Sequence, residues 1–258
     1  MPMDRSPFRL LVTDIDGTVC GPNQAISQET KRAVALLQAR GIGVTVATGR
    51  NAWEAQSLVV ELGITIPAIL ANGAQIYDFA AQRLLHGKGF CQKTLRAFLG
   101  SLAAPGSVEI HWFDGAAWRR SSLTEFGELQ DLGLMQRVIL SDPENTLDLA
   151  DSPVCPYWIF RRGRLTELTP KEANKGAGLL MLCSLLNIAP QEVVALGNDL
   201  NDLELIRTAG VGLAVVGGHP ELLEAARAVT VPMECHPVEK IAQWLVGKTP
   251  WERIVMRR

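Results

Sequence analysis

The residues best placed to do chemistry stand at the start of the chain, in Thr13-Asp14-Ile15-Asp16-Gly17-Thr18. Two carboxylates one residue apart follow an apolar run, Phe8 to Val12, and precede a glycine that lets the backbone turn. Residues at i and i+2 of an extended segment point the same way, so both acids face one spot beyond the strand tip. That arrangement suits a metal ion, a nucleophile and a proton donor held close together.

Other polar groups stand at comparable places. Ile42 to Ala47 is a β-branched run that ends in Thr48-Gly49-Arg50; Ala68 to Ala71 runs into Asn72-Gly73; Val193 to Leu196 runs into Gly197-Asn198-Asp199-Leu200-Asn201-Asp202. Ser27 to Arg40, Asn51 to Leu62 and Ala173 to Leu186 read as helices, the first capped by Ser27 and ended by Gly41. Short apolar strands alternating with such helices predict an α/β fold, a doubly wound parallel sheet of Rossmann-like design covered on both faces. In that fold the strand tips converge where the strand order reverses. Lys175, on a helix, can reach the same point.

Between Ala80 and Leu165 the texture changes, with Trp112, Trp118 and Trp158 and the arginines 119, 120, 161, 162 and 164 concentrated there. His111–Phe113, Arg137–Leu140 and Tyr157–Phe160 read as strands, with helices around Thr94–Leu102 and Glu125–Leu132. The expected organisation is a core of residues 1–80 plus 166–258, interrupted by a small α+β cap at 81–165. The tryptophans are expected to pack that domain's sheet, and the arginines to be mostly surface charge.

Composition narrows the function classes. With 47% hydrophobic and 20% charged residues the chain can build a sizeable core. A net charge of −2 gives no footprint for nucleic acid and no polybasic membrane patch. The longest oily segment, Gly176 to Ile188, is too short to span a bilayer. The five cysteines are scattered without a C-x-x-C pair, which argues against structural disulfides and a zinc ribbon. A soluble, cytoplasmic protein is expected, as a monomer or small homo-oligomer. Neither G-x-G-x-x-G nor G-x-x-x-x-G-K-[ST] occurs, and the four histidines lack metal-ligand spacing.

Taken together, these motifs resemble the haloacid dehalogenase-like hydrolases, and within them the Cof-type phosphatases, whose cap is inserted after the third core strand. The first motif is similar to Thr13–Thr18, the second to Ala47–Arg50, the lysine motif to Asn174-Lys175-Gly176 and the acidic fourth motif to Gly197–Asp202; Ala71–Ala74 resembles a further Cof-type segment. The resemblance implies that Asp14 attacks phosphorus to give an aspartyl-phosphate, and that Asp16 serves as general acid and then base. Related ion-pumping ATPases carry threonine at the position of Asp16. Thr48 and Gly49 would hold phosphoryl oxygens, with Lys175 neutralising charge and Arg50, Asn72 and Asn201 lining the phosphate or substrate site. Mg²⁺ would be held by Asp14, the carbonyl of Asp16 and the fourth-motif residues Asn198 and Asp202.

The chain departs from the family where Asn198 replaces the usual aspartate, and either Asn198 or Asp199 could complete the metal site. Gly217-Gly218 also stands where relatives often carry an Asn-Ala pair. The expected function is a Mg²⁺-dependent phosphatase acting on a small phosphorylated metabolite, a phosphosugar or phosphorylated organic acid. The alternatives are a phosphotransferase or mutase, and a weakly active phospho-ligand-binding relative.

Overall fold

The computed structural model describes residues 6–21, 23–102, 107–114, 117–129, 132, 135, 137–144, 157–170 and 172–255, with the backbone alone for 158–162. Two compact units divide it, Met1–His86 with Asn174–Arg258, and Gly87–Ala173. The first unit begins with β1 (Leu10–Thr13), α1 (Gln28–Ala39), β2 (Gly43–Val46), α2 (Ala52–Glu61), β3 (Ala68–Leu70), β4 (Gln75–Asp78) and β5 (Arg83–Gly87). The second comprises α3 (Gln92–Gly100), β6 (Glu109–Phe113), β7 (Trp118–Ser122), α4 (Leu123–Phe126), β8 (Arg137–Ser141), β9 (Tyr157–Arg162) and β10 (Leu165–Pro170). The first unit then resumes with α5 (Lys175–Leu186), β11 (Val193–Gly197), α6 (Leu203–Thr208), β12 (Val211–Ala214), α7 (Pro220–Ala225), β13 (Ala228–Val229) and α8 (Pro237–Leu245).

The core sheet runs β13-β12-β11-β1-β2, and every pairing in it is parallel. A parallel bridge from Ala47 to Ile69 sets β3 beside β2. The chain therefore winds away from β1 in one direction and from β11 in the other, and the reversal falls between these neighbours. Period-two alternation divides their side chains between two apolar layers. Leu11, Val194 and Leu196 join the layer built with α1, α2 and α8, whereas Leu10, Val12, Val193 and Ala195 join the one built with α5, α6 and α7. The doubly wound sheet is thus visible in which residues are dry.

The inserted unit has its own sheet, ordered β7-β6-β8-β10-β9 and antiparallel throughout. A separate apolar cluster joins Ile110, Trp112, Val138, Leu140 and Leu168 of that sheet to Leu95, Phe98, Leu99 and Phe126 of α3 and α4.

Several boundaries differ from the sequence expectations, each for a local reason. β4 and β5 extend β3 into a three-stranded sheet, which keeps the chain in the first unit as far as His86. β10 pairs with β8 and β9, which keeps it with the inserted unit rather than the core. The helix expected over Glu125–Leu132 is instead Leu123–Phe126, because Ser122 accepts from the Glu125 amide in a capping box and starts the helix earlier. Asn51 and Glu54 form the same box at α2, where the sequence expected a helix. The side chains of Trp158, Arg161 and Arg162 lie outside the described residues. Among the described residues Cys20, Cys91, Cys183 and Cys235 are free thiols, and no helix is long and apolar enough to cross a membrane.

Candidate active site

The site grows out of the carboxyl ends of β1, β2, β3 and β11. Asp14 leaves β1 with its N–H still donating to the Leu196 carbonyl of β11 at 2.8 Å, so the carboxylate is fixed at the strand reversal. Lys175 approaches from the first turn of α5, which Asn174 caps by accepting from the Ala177 N–H at 2.8 Å. Its Nζ donates to Asp14 Oδ1 at 2.7 Å and to Asp202 Oδ1 at 2.5 Å. The lysine and Asp202 are completely buried, and Asp14 is 5% exposed.

What brings α5 this close is the turn after β3. Ala71, Asn72 and Gly73 all have positive φ, and a methyl on Gly73 would lie 2.0 Å from the Asn174 carbonyl oxygen. Only glycine admits that approach without displacing the helix start.

Two carboxylates sharing one ammonium leave one negative charge buried. Burial pushes the Asp14 carboxyl up to about 7 from its ordinary 3.8; Lys175 pulls it down, and Asp202 pushes it up again. Burial alone would depress the Lys175 ammonium, but the two carboxylates outweigh it and the group is raised. Both shifts express the same shortage: the lysine has two partners, and Asp14 has a share in one.

Asp202, expected among the metal ligands, is held by hydrogen bonds to both of its carboxylate oxygens. Its Oδ1 is engaged by Lys175, and its Oδ2 accepts the N–H groups of Asn198 and Asp199 at 2.9 and 3.1 Å. It clamps the lysine and the fourth-motif loop. Asp199 turns back to accept from the Leu200 N–H at 2.7 Å and so caps its own turn. The Asn198 amide faces the first motif: its Oδ1 accepts from the Thr18 hydroxyl at 3.1 Å, and a methyl on Gly17 would come within 2.3 Å of its Nδ2. Thr18 is a site residue that the sequence reading passed over, although it closes the same D-x-D-G-T string.

The second motif lies alongside. Thr48 is buried, its Oγ1 accepts from the Arg50 N–H at 3.2 Å, and its carbonyl accepts from the Asn72 N–H at 3.0 Å. A methyl on Gly49 would meet Asn72 Oδ1 at 3.2 Å, and that same oxygen accepts from Asn201 Nδ2 at 3.0 Å. Arg50 grips Asp16 through both carboxylate oxygens, Nη2 to Oδ1 at 2.6 Å and Nε to Oδ2 at 3.0 Å. Asp16 is far more open than Asp14, with 47% of its side chain exposed.

A hard divalent cation fits this donor chemistry. The candidate ligands are all oxygens, a carboxylate, a backbone carbonyl and an amide, beside a buried excess of negative charge. Among the described residues no three His, Cys, Asp or Glu side chains cluster as a metal site.

Comparison with known proteins follows the same lines. A family model described as haloacid dehalogenase-like hydrolase matches residues 11–131 and 149–241. An HMP-PP phosphatase of Serratia proteamaculans is 26% identical, over 92% of this chain and 94% of the relative. A phosphoglycolate phosphatase of Methanopyrus kandleri is 29% identical, over 80% of this chain and 83% of the relative. Among solved structures, a phosphatase of the same superfamily from Bacteroides thetaiotaomicron superposes with a TM-score of 0.78 at 16% identity, covering 95% of this chain and 97% of that one. A subclass IIB sugar phosphatase gives a TM-score of 0.71 at 19% identity, over 93% and 100% of the two chains. This chain belongs to the haloacid dehalogenase-like hydrolases, in their Cof-type branch.

Proposed function

We propose that the protein is a Mg²⁺-dependent phosphatase that hydrolyses a small phosphate monoester through an aspartyl-phosphate on Asp14. The observation that carries this reading is the buried Lys175 ammonium bridging Asp14 and Asp202 at the strand reversal. A carboxylate held there by a fixed cation is poised for in-line attack on phosphorus. Lys175 offsets the charge that gathers as two anions approach, at no cost of reorganisation because Asp202 already holds it. The Thr48 hydroxyl and the Gly49 N–H receive phosphoryl oxygens.

Asp16 donates a proton to the leaving oxygen and later takes one from the attacking water. Its pairing with Arg50 is partly exposed, and such pairs are worth about 1 kcal/mol or less, so one oxygen can be surrendered to the substrate. Asp14, the Asp16 carbonyl and Asn198 would hold Mg²⁺, which would keep Asp14 ionised at neutral pH and polarise the phosphoryl group.

The relatives named above act on HMP-PP and phosphoglycolate, and the structural neighbour on sugar phosphates. A phosphosugar or a phosphorylated organic acid is therefore the substrate class proposed. Hydrolysis of p-nitrophenyl phosphate with added Mg²⁺, abolished in Asp14→Asn, tests the reaction, and a screen of phosphorylated metabolites tests the class. A clean preparation that turns over none of them would overturn the reading.

A further inference from the structure

Asn198 is the amide among the proposed magnesium ligands, and an amide has a wrong end. A carboxylate offers a cation two equivalent oxygens, whereas a carboxamide offers one oxygen and one amino group that only donates. A site built on asparagine gains from a neighbour that holds the oxygen in place before the cation arrives.

The structure holds this residue from several sides. The Asn198 N–H donates to Asp202 Oδ2 at 2.9 Å, and its carbonyl accepts from the His219 N–H at 2.8 Å. A methyl on Gly218 would lie 2.7 Å from that carbonyl oxygen, so the turn leading to His219 fits here because residue 218 lacks a side chain. With the backbone pinned, the amide is the part left to set. Its Oδ1 accepts from the Thr18 hydroxyl at 3.1 Å, and its Nδ2 lies over Gly17. Thr18 is itself fixed: it is 1% exposed, its N–H donates to the Ile15 carbonyl at 3.3 Å, and its branched side chain has a stiff first torsion.

The choice of partner separates this contact from routine satisfaction of a buried hydroxyl. Thr13, Thr45 and Thr230 are buried too, and each donates to a backbone carbonyl, at 2.9, 2.8 and 2.8 Å. Thr18 donates instead to a side-chain oxygen 180 residues away in sequence, on the fourth-motif loop. One accepted bond leaves that oxygen a second lone pair.

We infer that Thr18 is a positioning residue of the magnesium site, holding the Asn198 amide with its oxygen toward the first motif. Orientation there offsets part of the charge lost when an amide stands in place of a carboxylate. The inference rests on the Mg²⁺ dependence proposed above and extends it from the ligands to the group that sets one of them.

The test is calorimetric titration of the full-length protein with Mg²⁺, with no substrate present. Thr18→Val should weaken binding by about tenfold or more, the scale found for groups that orient metal ligands. Thr18→Ala, which removes the hydroxyl without added bulk, should match it, and Thr18→Ser should bind within about threefold of the unaltered protein. In an Asn198→Asp background either oxygen can serve, so Thr18→Val should cost about threefold or less. Unchanged affinity in both Thr18→Val and Thr18→Ala, or an equal loss in the asparagine and aspartate backgrounds, would overturn this inference alone. No Mg²⁺ binding by the unaltered protein would overturn the metal dependence itself, and this inference with it.

Discussion

Two ion clusters stand at the same set of strand ends and are built in opposite ways. Lys175, Asp14 and Asp202 are dry, with side-chain exposures of 0%, 7% and 0%. In the other pair Asp16 is wet, at 47%, while its partner Arg50 is 15% exposed. The dry cluster is fixed, because a buried charge deprived of its partner is expensive. The wet pair costs little to open. Nucleophilic attack gains from a group that does not move, whereas proton transfer needs one that can exchange partners, and the burial of each acid matches its proposed task.

The comparison breaks most sharply at Asp14. Asp14→Asn should lower turnover of an aryl phosphate by at least about a thousandfold, with the protein still folded by circular dichroism. Next, Lys175→Ala leaves two buried carboxylates facing each other. It should abolish turnover and destabilise the fold by roughly 3–5 kcal/mol in urea melts, whereas Arg50→Ala should cost about 1 kcal/mol or less. Equal losses for the two would end the distinction between dry and wet. Asn198→Asp adds a charge to the proposed ligand set and should tighten Mg²⁺ binding by about tenfold in calorimetry. Unchanged affinity would remove Asn198 from that set.

The pH dependence sharpens the dry side. Because Asp14 is raised from 3.8 to about 7, the native state holds a proton there that the unfolded chain has already released. Its contribution to stability is complete below pH 3.8 and is lost as pH rises through 7. Metal-free protein should therefore show a falling contribution across that window, and Asp14→Asn should flatten the fall in melting temperature against pH.

The strand ends were legible in the sequence because apolar runs stop at polar residues, and a parallel sheet must bring such stops to one edge. Asp14, Thr48, Asn72 and Asn198 could be placed on that logic alone. Pairings that depend on side-chain reach could not. Nothing in the spacing says that Arg50 turns onto Asp16, or that Asp202 engages Lys175 with one oxygen and the loop amides with the other. In the inserted unit β7 was missed because Trp-Arg-Arg-Ser-Ser lacks apolar alternation. As an edge strand it buries little, and its two arginines face solvent. The β4–β5 ladder escaped for the same reason, since Arg83 and Leu84 are exposed.

The seat of α5 against the Ala71–Gly73 turn has a consequence for descent. The polypeptide re-enters the core at Asn174 already docked on Gly73, one residue before the lysine that pairs with Asp14. The position of that amine is therefore registered by the core alone. The whole stretch from Gly87 to Ala173 can be traded or resized while the Lys175 ammonium keeps its place.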